Sequence, residues 1–138
     1  MSKVYLDASF FIASQVIENN LHQQARQKLN SLRSKTIYYS WLVLDEIIYV
    51  LEGGYNFNKK EVVKMVLSNL VDIANTEFIS LDSSELEITK YLSSWQENFL
   101  KPRDTMHLFL MKEHNIKTIA TFDQDFIKNR ESLKIKIL

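Results

Sequence analysis

The sequence predicts an α/β fold, in which a mainly parallel sheet of about five strands is covered on both faces by helices. Short apolar runs with strand character alternate with segments of helical periodicity along the chain. The chain also contains only two glycines and one proline, which disfavours a sandwich of many short strands joined by tight turns. No linker or repeat interrupts the 138 residues, so we expect a single domain over residues 1–138.

Five short apolar runs have the residue types of strands. In chain order they are residues 3–6, 36–39, 78–81, 118–121 and 134–137. Helical periodicity fills the intervals, and we expect helices at residues 9–18, 21–33, 41–52, 58–75, 84–94 and 104–114. The last of these helices is apolar around most of its circumference, which is typical of a helix that lies between a sheet and other helices.

Local signals indicate where several helices begin. Asn58 and Glu61 have the spacing of a capping box, and Asp82 and Glu85 repeat that spacing before the next helix. Residues 62, 66, 70 and 74 are apolar and share one face of the helix that Asn58 opens. These signals support the predicted alternation of strands and helices.

The end of the helix at residues 41–52 is marked by Gly53 and Gly54. Glycine adopts the left-handed conformation without steric cost, so we expect a left-handed cap at this point. A hinge is the alternative.

Composition excludes several functional classes. The absence of cysteine rules out disulfides and thiolate metal sites. Seventeen basic residues balance seventeen acidic ones, so the chain lacks the overall positive field of a protein that coats nucleic acid, although a local basic rim remains compatible with such a substrate. Neither a signal peptide nor a membrane span is evident, and we expect the protein in the cytoplasm.

Four acidic residues are predicted to meet at one edge of the sheet. Asp7 and Asp123 follow the first and fourth strands, and the carboxyl ends of parallel strands share an edge where ligands bind. Glu46 lies in the second turn of a helix that Ser40 is expected to cap, shortly after the second strand. Asp104 opens the central helix near the same rim.

Each acid also has an ordinary structural explanation: Asp7 and Asp104 as helix caps, and Asp123 as the first residue of an Asx turn. Taken together they pose an electrostatic problem, since two carboxylates ~4 Å apart repel by about 4 kcal/mol at an effective dielectric of about 20. Protonation of some groups or a hard divalent cation would offset this charge. Oxygen ligands without cysteine favour Mg²⁺ or Mn²⁺ over zinc.

The same residues resemble a known family. The segments that carry the resemblance are Asp7-Ala8-Ser9, the helical Glu46, Lys101-Pro102-Arg103-Asp104, and Thr121-Phe122-Asp123-Gln124-Asp125-Phe126. Their order and spacing are similar to those of PIN domains, the nuclease fold of VapC-type toxins from prokaryotic toxin and antitoxin pairs. The resemblance extends from residue 3 to about residue 137 and implies a PIN-like three-layer α/β/α sandwich.

The resemblance also implies roles for individual residues. The acids expected to hold one or two Mg²⁺ or Mn²⁺ ions are Asp7, Glu46, Asp104 and Asp123. The accessory polar residues are Ser9, Thr121 and Asp125, of which Asp125 matches an additional acid or a turn residue. Asp45 is not expected to share the role of Glu46, because adjacent helical residues point about 100° apart.

The function implied is hydrolysis of RNA phosphodiester bonds, in which divalent ions activate water and neutralise the departing oxygen. Lys101 and Arg103 flank the third acid and are candidates for contacts with substrate phosphates, with solvated loop residues as the alternative. The resemblance further implies a homodimer and a small antitoxin that crosses the acidic cleft. The antitoxin would need an apolar groove, and the residues that could form it are Phe10, Ile12, Leu21, Leu29 and Leu32. Ordinary packing in the core explains these residues equally well.

Other interpretations remain open. A catalytically quiet module that binds RNA or protein would share the fold, as would a housekeeping nuclease without an antitoxin. His107 is a conceivable ligand, but we expect a core residue or one that contacts a ligand. Four aromatic residues are candidates for stacking on bases, but we expect them in the core instead, and they are Tyr38, Tyr39, Trp95 and Phe99. The acid spacing of haloacid dehalogenase phosphatases and of receiver domains is absent.

Overall fold

The structure, a computed structural model, describes residues 2–71, 75–81 and 84–138. Its centre is a five-stranded sheet with the strand order β3-β2-β1-β4-β5. The strands are β1 (Lys3–Leu6), β2 (Thr36–Tyr39), β3 (Thr76–Phe78), β4 (Thr118–Ala120) and β5 (Lys136–Ile137). Every pair of neighbouring strands is parallel, which confirms the predicted α/β class and the number of strands.

Eight α-helices occupy the intervals in the described ranges. They are α1 (Ala8–Gln15), α2 (His22–Leu32), α3 (Trp41–Tyr49), α4 (Lys59–Val66), α5 (Glu85–Glu97), α6 (Pro102–Glu113), α7 (Gln124–Lys128) and α8 (Arg130–Leu133). The first six correspond to the predicted helices. The short helices α7 and α8 lie where the sequence offered no prediction. Among the described residues, no helix combines the length and apolar character that crossing a bilayer requires.

Helix starts follow the predicted capping chemistry where the structure describes them. The Asn58 side chain accepts a hydrogen bond from the Glu61 backbone N–H at 2.9 Å, and its amide group donates to the Glu61 carboxylate. Ser40 caps α3 by accepting from the Val43 N–H at 3.5 Å. The predicted cap residue Asp82 lies outside the described residues, as does Ala74 of the predicted apolar face. Within the described ranges, Ser84 caps α5.

The prediction of a left-handed glycine cap after α3 is wrong. Neither Gly53 nor Gly54 has a positive φ, and residues Val50–Gly54 form one π-helical turn. The turn is closed by the Tyr55 N–H, which donates to the Val50 carbonyl at 3.2 Å. The last hydrogen bond of this helix therefore joins residues five positions apart instead of four. The residue with a left-handed backbone conformation is Asn56, with φ of 57°.

The core lies on both faces of the sheet. Helix α6 buries five consecutive residues, from His107 to Met111, which confirms its predicted central position. Helix α1 is equally enclosed and buries Phe10, Phe11 and Ile12. These two helices begin beside the carboxyl edge of the sheet, so their packing in the core holds their first turns at that edge.

The aromatic residues divide into two groups. Tyr38 and Tyr39 are buried in the sheet, at 8% and 9% exposure, as expected. The prediction that Trp95 and Phe99 are core residues is wrong, because their exposures are 46% and 100%. Trp95 lies on an exposed side of α5, and Phe99 lies two residues beyond the end of this helix. The prediction rested on the general tendency of aromatic side chains to be buried, which does not hold at these two positions.

Candidate active site

The carboxyl edge of the sheet carries two of the four acids. Asp7 follows β1 directly, and its backbone N–H donates to the Ala120 carbonyl of β4 at 3.0 Å. Asp123 lies three residues after the end of β4 and opens α7. Because β1 and β4 are neighbours, with Leu6 paired to Ala120, these two strand ends lie side by side. The parallel register thus sets the distance between the two acids.

Helices α3 and α6 bring the other two acids to this edge. Glu46 lies in the second turn of α3, and Asp104 lies in the first turn of α6, two residues after Pro102 at the helix start. Two adjoining cavities of about 450 and 620 Å³ share Glu46 and Asp123 in their walls. Asp7 lines the first cavity and Asp104 the second. All four predicted acids therefore line one continuous cleft.

The acids form two close groups within this cleft. Ligand atoms of Asp7, Glu46 and His107 all lie within 4.8 Å of one another. Oxygens of Asp104, Asp123 and Asp125 satisfy the same limit. Asp125, one of the predicted accessory residues, is exposed at the mouth of the cleft.

Asp7 is held by three hydrogen bonds. Its Oδ1 accepts from the Ala8 N–H at 2.9 Å, the predicted capping contact. Its Oδ2 accepts from the hydroxyl of Ser9 at 2.7 Å and from that of Thr121 at 2.6 Å. Asp7 is only 4% exposed, so these bonds fix the direction in which its remaining lone pairs point.

The same two hydroxyls also hold the loop that carries Asp123. Ser9 Oγ accepts from the Phe122 N–H at 3.0 Å, and Thr121 Oγ1 accepts from the Asp123 N–H at 2.9 Å. Asp123 Oδ1 in turn accepts from the Asp125 N–H at 2.9 Å, which is the predicted Asx turn. Asp123 can form this turn and still face the cleft, because the turn uses only Oδ1 and leaves Oδ2 available.

Two of the acids have raised pKa values in the metal-free protein. Desolvation by burial, together with the nearby charge of Asp123, raises the pKa of Asp104 from 3.8 to about 6. Desolvation also raises the pKa of Asp123, and the charges of Asp7 and Asp125 add to this effect. The cleft therefore holds more negative charge than the folded protein neutralises.

Two basic residues lie at the mouth of the cleft. Lys101 and Arg103 are exposed, and Arg103 pairs with Asp45 at 3.9 Å. The Asp45 side chain is 66% exposed, in agreement with the predicted direction away from Glu46. In the described ranges, no lysine or arginine forms an ion pair with one of the four acids.

His107 is the residue near the acids whose environment the sequence left open. It is 1% exposed, and its Nε2 lies 3.0 Å from Glu46 Oε1. Its Nδ1 lies 2.7 Å from the hydroxyl of Tyr5, a residue that sequence analysis did not single out. The three-residue spacing from Asp104 was the one signal for His107, and it did not indicate a contact with Glu46.

The donor set fits a hard divalent cation. The side chains that meet in the cleft offer mainly carboxylate oxygens, and the chain has no cysteine. Burial, together with the charge of Asp123, raises the pKa of Asp104, and a bound cation would stabilise the ionised carboxylate. Asp7, Glu46, Asp104 and Asp123 are the residues that could hold such an ion.

Comparison with known proteins agrees with the fold. The chain belongs to the PIN domain family, whose model matches residues 4–131. A sequence comparison with curated proteins gives no match.

Solved structures of low sequence identity share the fold. VapC20 from Mycobacterium tuberculosis, described as a sarcin-ricin loop cleaving toxin, is 21% identical over 91% of this chain and 93% of its own, with a TM-score of 0.66. VapBC2 from Rickettsia felis, bound to a DNA fragment from its promoter, is 18% identical over 99% of this chain and 97% of its own, with a TM-score of 0.64. FitAcB from Neisseria gonorrhoeae is 16% identical over 98% of this chain and 96% of its own, with a TM-score of 0.62.

Proposed function

We propose that this protein is a metal-dependent endoribonuclease that hydrolyses phosphodiester bonds of RNA. The observation that carries the proposal is the convergence of four carboxylates, from β1, α3, α6 and the end of β4, in one cleft where, among the described residues, no lysine or arginine forms an ion pair with them. Membership of the PIN domain family supports a nuclease, and the description of VapC20 as a toxin that cleaves the sarcin-ricin loop supports RNA as the substrate.

In this proposal the four acids hold Mg²⁺ or Mn²⁺ at the carboxyl edge of the sheet. A divalent ion bound there would activate water for attack and stabilise the negative charge of the phosphoryl group. The hydroxyls of Ser9 and Thr121 keep Asp7 turned towards the cleft and also hold the backbone that carries Asp123. Asp125 lies within reach of the same ion as an accessory acid.

Substrate phosphates would approach from the mouth of the cleft. Lys101 and Arg103 line this mouth and are exposed, so their side chains are free to reach a phosphate group. Arg103 would leave its exposed pair with Asp45 at little cost, because an exposed ion pair contributes about 0 to 1 kcal/mol. These contacts would position the strand without reading its sequence.

A cleavage assay separates an enzyme from a quiet binding module. Purified protein is incubated with structured and unstructured RNA in Mn²⁺ or in EDTA, alongside the variants D104N and D45N. We expect Mn²⁺-dependent cleavage by the wild type and by D45N, whose residue lies outside the cleft, and none by D104N. Cleavage that persists in EDTA, or that D104N retains, would refute the proposal.

We also propose that the protein is the toxin of a toxin and antitoxin pair and acts in the cytoplasm, as its resemblance to VapC-type toxins implies. The cavity of about 450 Å³ continues from the acids into an apolar groove. The groove residues are Ile12, Leu21, Tyr49, Val50 and Tyr55. Of the residues predicted for this groove, Phe10 and Leu32 are instead buried in the core, and Leu29 packs against it.

The groove suits an extended apolar segment of an antitoxin that ends near the acids. Tyr49 is 75% exposed at its edge, so the variant Y49E should disrupt binding without unfolding the protein. The test is co-expression with the product of a neighbouring small gene, followed by measurement of RNA cleavage by the complex. Inhibition of the wild type that Y49E escapes would support the pair, and equal inhibition of both would refute the groove as the docking site.

A second copy of the chain is the proposed partner of helix α5. Its solvent face carries three large apolar residues with exposures of 46% to 56%, namely Ile88, Leu92 and Trp95, and the fully exposed Phe99 lies two residues beyond the helix. A straight apolar helix face can meet the same face of a second copy across a two-fold axis. We expect twice the chain mass of 16.3 kDa in light scattering for the wild type and for Y49E, and a monomer for L92E. A monomeric wild type would refute the dimer.

A further inference from the structure

A buried chain of hydrogen bonds leads from the start of helix α3 to the carboxylate of Glu46. Ser40 Oγ lies 2.8 Å from the hydroxyl of Tyr5, and this hydroxyl lies 2.7 Å from Nδ1 of His107. Nε2 of His107 then lies 3.0 Å from Glu46 Oε1. Ser40, Tyr5 and His107 are 3%, 0% and 1% exposed, so water does not compete for these bonds.

The donors and acceptors along this chain are consistent with one direction. Ser40 Oγ accepts from the Val43 N–H, so its own proton is free to bond to Tyr5. With the ring proton of His107 on Nε2, the Tyr5 hydroxyl donates to Nδ1 and Nε2 donates to Glu46. Burial raises the pKa of Tyr5 far above its ordinary value, so this hydroxyl keeps its proton. The hydroxyls of Ser40 and Tyr5 and both ring nitrogens of His107 therefore all have hydrogen-bond partners.

One carboxylate oxygen of Glu46 is already engaged inside the protein. Its side chain is 19% exposed and lies in the walls of both cavities, while Oε1 is engaged by His107. A glutamate has three side-chain torsions, and an unrestrained one would spread over several rotamers. The bond from His107 restricts Glu46 to rotamers in which Oε2 remains for a ligand.

We propose that His107, held by Tyr5, is a positioning residue that fixes Glu46 for divalent cation binding. The inference rests on the proposed function, because it assigns to Glu46 the role of a metal ligand. Ligating carboxylates elsewhere depend on hydrogen bonds of this kind, and removal of such a bond typically weakens metal affinity or activity about 10- to 100-fold.

A direct ligand role for His107 is the competing assignment, since its ring lies within 4.8 Å of ligand atoms of Asp7 and Glu46. The observed geometry favours positioning, because both ring nitrogens already have partners. The two assignments differ in one consequence. A positioning residue acts through Glu46 alone, so its replacement should have no further effect once Glu46 is replaced.

The test compares His107→Gln with His107→Asn. A glutamine amide reaches the position of Nε2 and can donate to Glu46, whereas an asparagine amide reaches only the position of Nδ1. The metal dissociation constant is measured by Mn²⁺ titration with electron paramagnetic resonance, and kcat and KM for RNA are measured separately. We expect H107N to lose about 10-fold or more in Mn²⁺ affinity, H107Q to recover most of it, and KM to change little.

Tyr5→Phe provides a nearly isosteric second variant that removes only the hydroxyl. We expect a smaller loss of Mn²⁺ affinity in the same direction, since His107 remains but its ring is no longer anchored. Tyr38→Phe is the matched control, because Tyr38 is the partner of Tyr5 in the neighbouring strand. His114→Gln is the control for histidine, since it lies at the end of the same helix and bonds to the Ser80 carbonyl. Both controls should bind Mn²⁺ as the wild type does.

The double variants E46A/H107N and E46A decide between positioning and ligation. Equal Mn²⁺ affinity of these two variants supports positioning, and a further loss in E46A/H107N refutes it in favour of a direct ligand. Equal impairment of H107Q and H107N, or wild-type affinity of both, also refutes the inference. A wild type that binds no Mn²⁺ refutes the proposed function and the inference together, so the two failures are distinguishable.

Discussion

Replacement of Asp104 by asparagine should stabilise the metal-free protein while it removes a metal ligand. The pKa of Asp104 is raised from 3.8 to about 6 by burial and by the charge of Asp123. At about 1.4 kcal/mol per pKa unit, a shift of roughly two units corresponds to ~3 kcal/mol of destabilisation by the ionised carboxylate at neutral pH. Asp104 is only partly buried, so solvent screening reduces our expectation to ~1 to 2 kcal/mol.

The effect has a defined pH dependence. A carboxyl group whose folded pKa lies above its unfolded pKa binds its proton more tightly in the folded state, so its ionisation destabilises the fold. For Asp104 this destabilisation is absent below pH 4, develops between about 4 and 6, and is complete above that range. The difference in unfolding free energy between D104N and the wild type should therefore grow as the pH rises through this window.

The assay is urea unfolding in EDTA at pH 4, 5, 6 and 7.5, with D45N as the matched control. Asp45 is an exposed acid at the mouth whose replacement should change stability by less than about 0.5 kcal/mol. Addition of Mn²⁺ at ~100 times its dissociation constant should then stabilise the wild type by about 2.7 kcal/mol and D104N by much less. D104N that is no more stable than D45N at pH 7.5 would show that the cleft carries no net repulsion.

Three further predictions follow from the site and the fold. T121V removes a donor to Asp7 and an acceptor for the last loop, so kcat should fall about 10-fold with Tm changed little, and an unaltered kcat would contradict this role. K101A/R103A should raise KM for RNA. In a plot of log KM against log salt concentration, the slope should fall by up to about 1.4, and an unchanged slope would exclude phosphate contacts. G54A should stabilise the fold by about 0.5 to 1 kcal/mol in urea unfolding, because Gly54 does not have a positive φ and an added Cβ would meet only ordinary contacts. Destabilisation by G54A would contradict the π-helical turn.

The features that sequence predicted are those set by local pattern and by parallel topology. Apolar runs located all five strands, although β3 begins two residues earlier than the predicted run at 78–81 and β5 begins two residues later than that at 134–137. Once the strands were known to be parallel, Asp7 and Asp123 had to lie on the same edge of the sheet. The short spacing from Ser40 and Pro102 then carried Glu46 and Asp104 to the same place.

The features that sequence missed depend on side chains from distant elements or on which face of a helix is covered. The bond between Tyr5 and His107 joins residues 102 positions apart, and no local rule pairs them. Trp95 and Phe99 were expected in the core because aromatic side chains are usually buried, but residue type does not report which face of a helix or loop is covered. The glycine pair correctly indicated that a helix ends there. The conformation of that end depends on the hydrogen bond from the Tyr55 N–H to the Val50 carbonyl, which the glycines do not indicate.

The measurement that tests the central claim most directly is anomalous diffraction from crystals soaked in Mn²⁺. We expect an anomalous peak in the cleft, at about 2.1 to 2.3 Å from carboxylate oxygens of at least two of the four acids. The same soak of D104N crystals should give a weaker peak or none. A wild-type cleft without any peak, at Mn²⁺ concentrations that support RNA cleavage, would contradict the account.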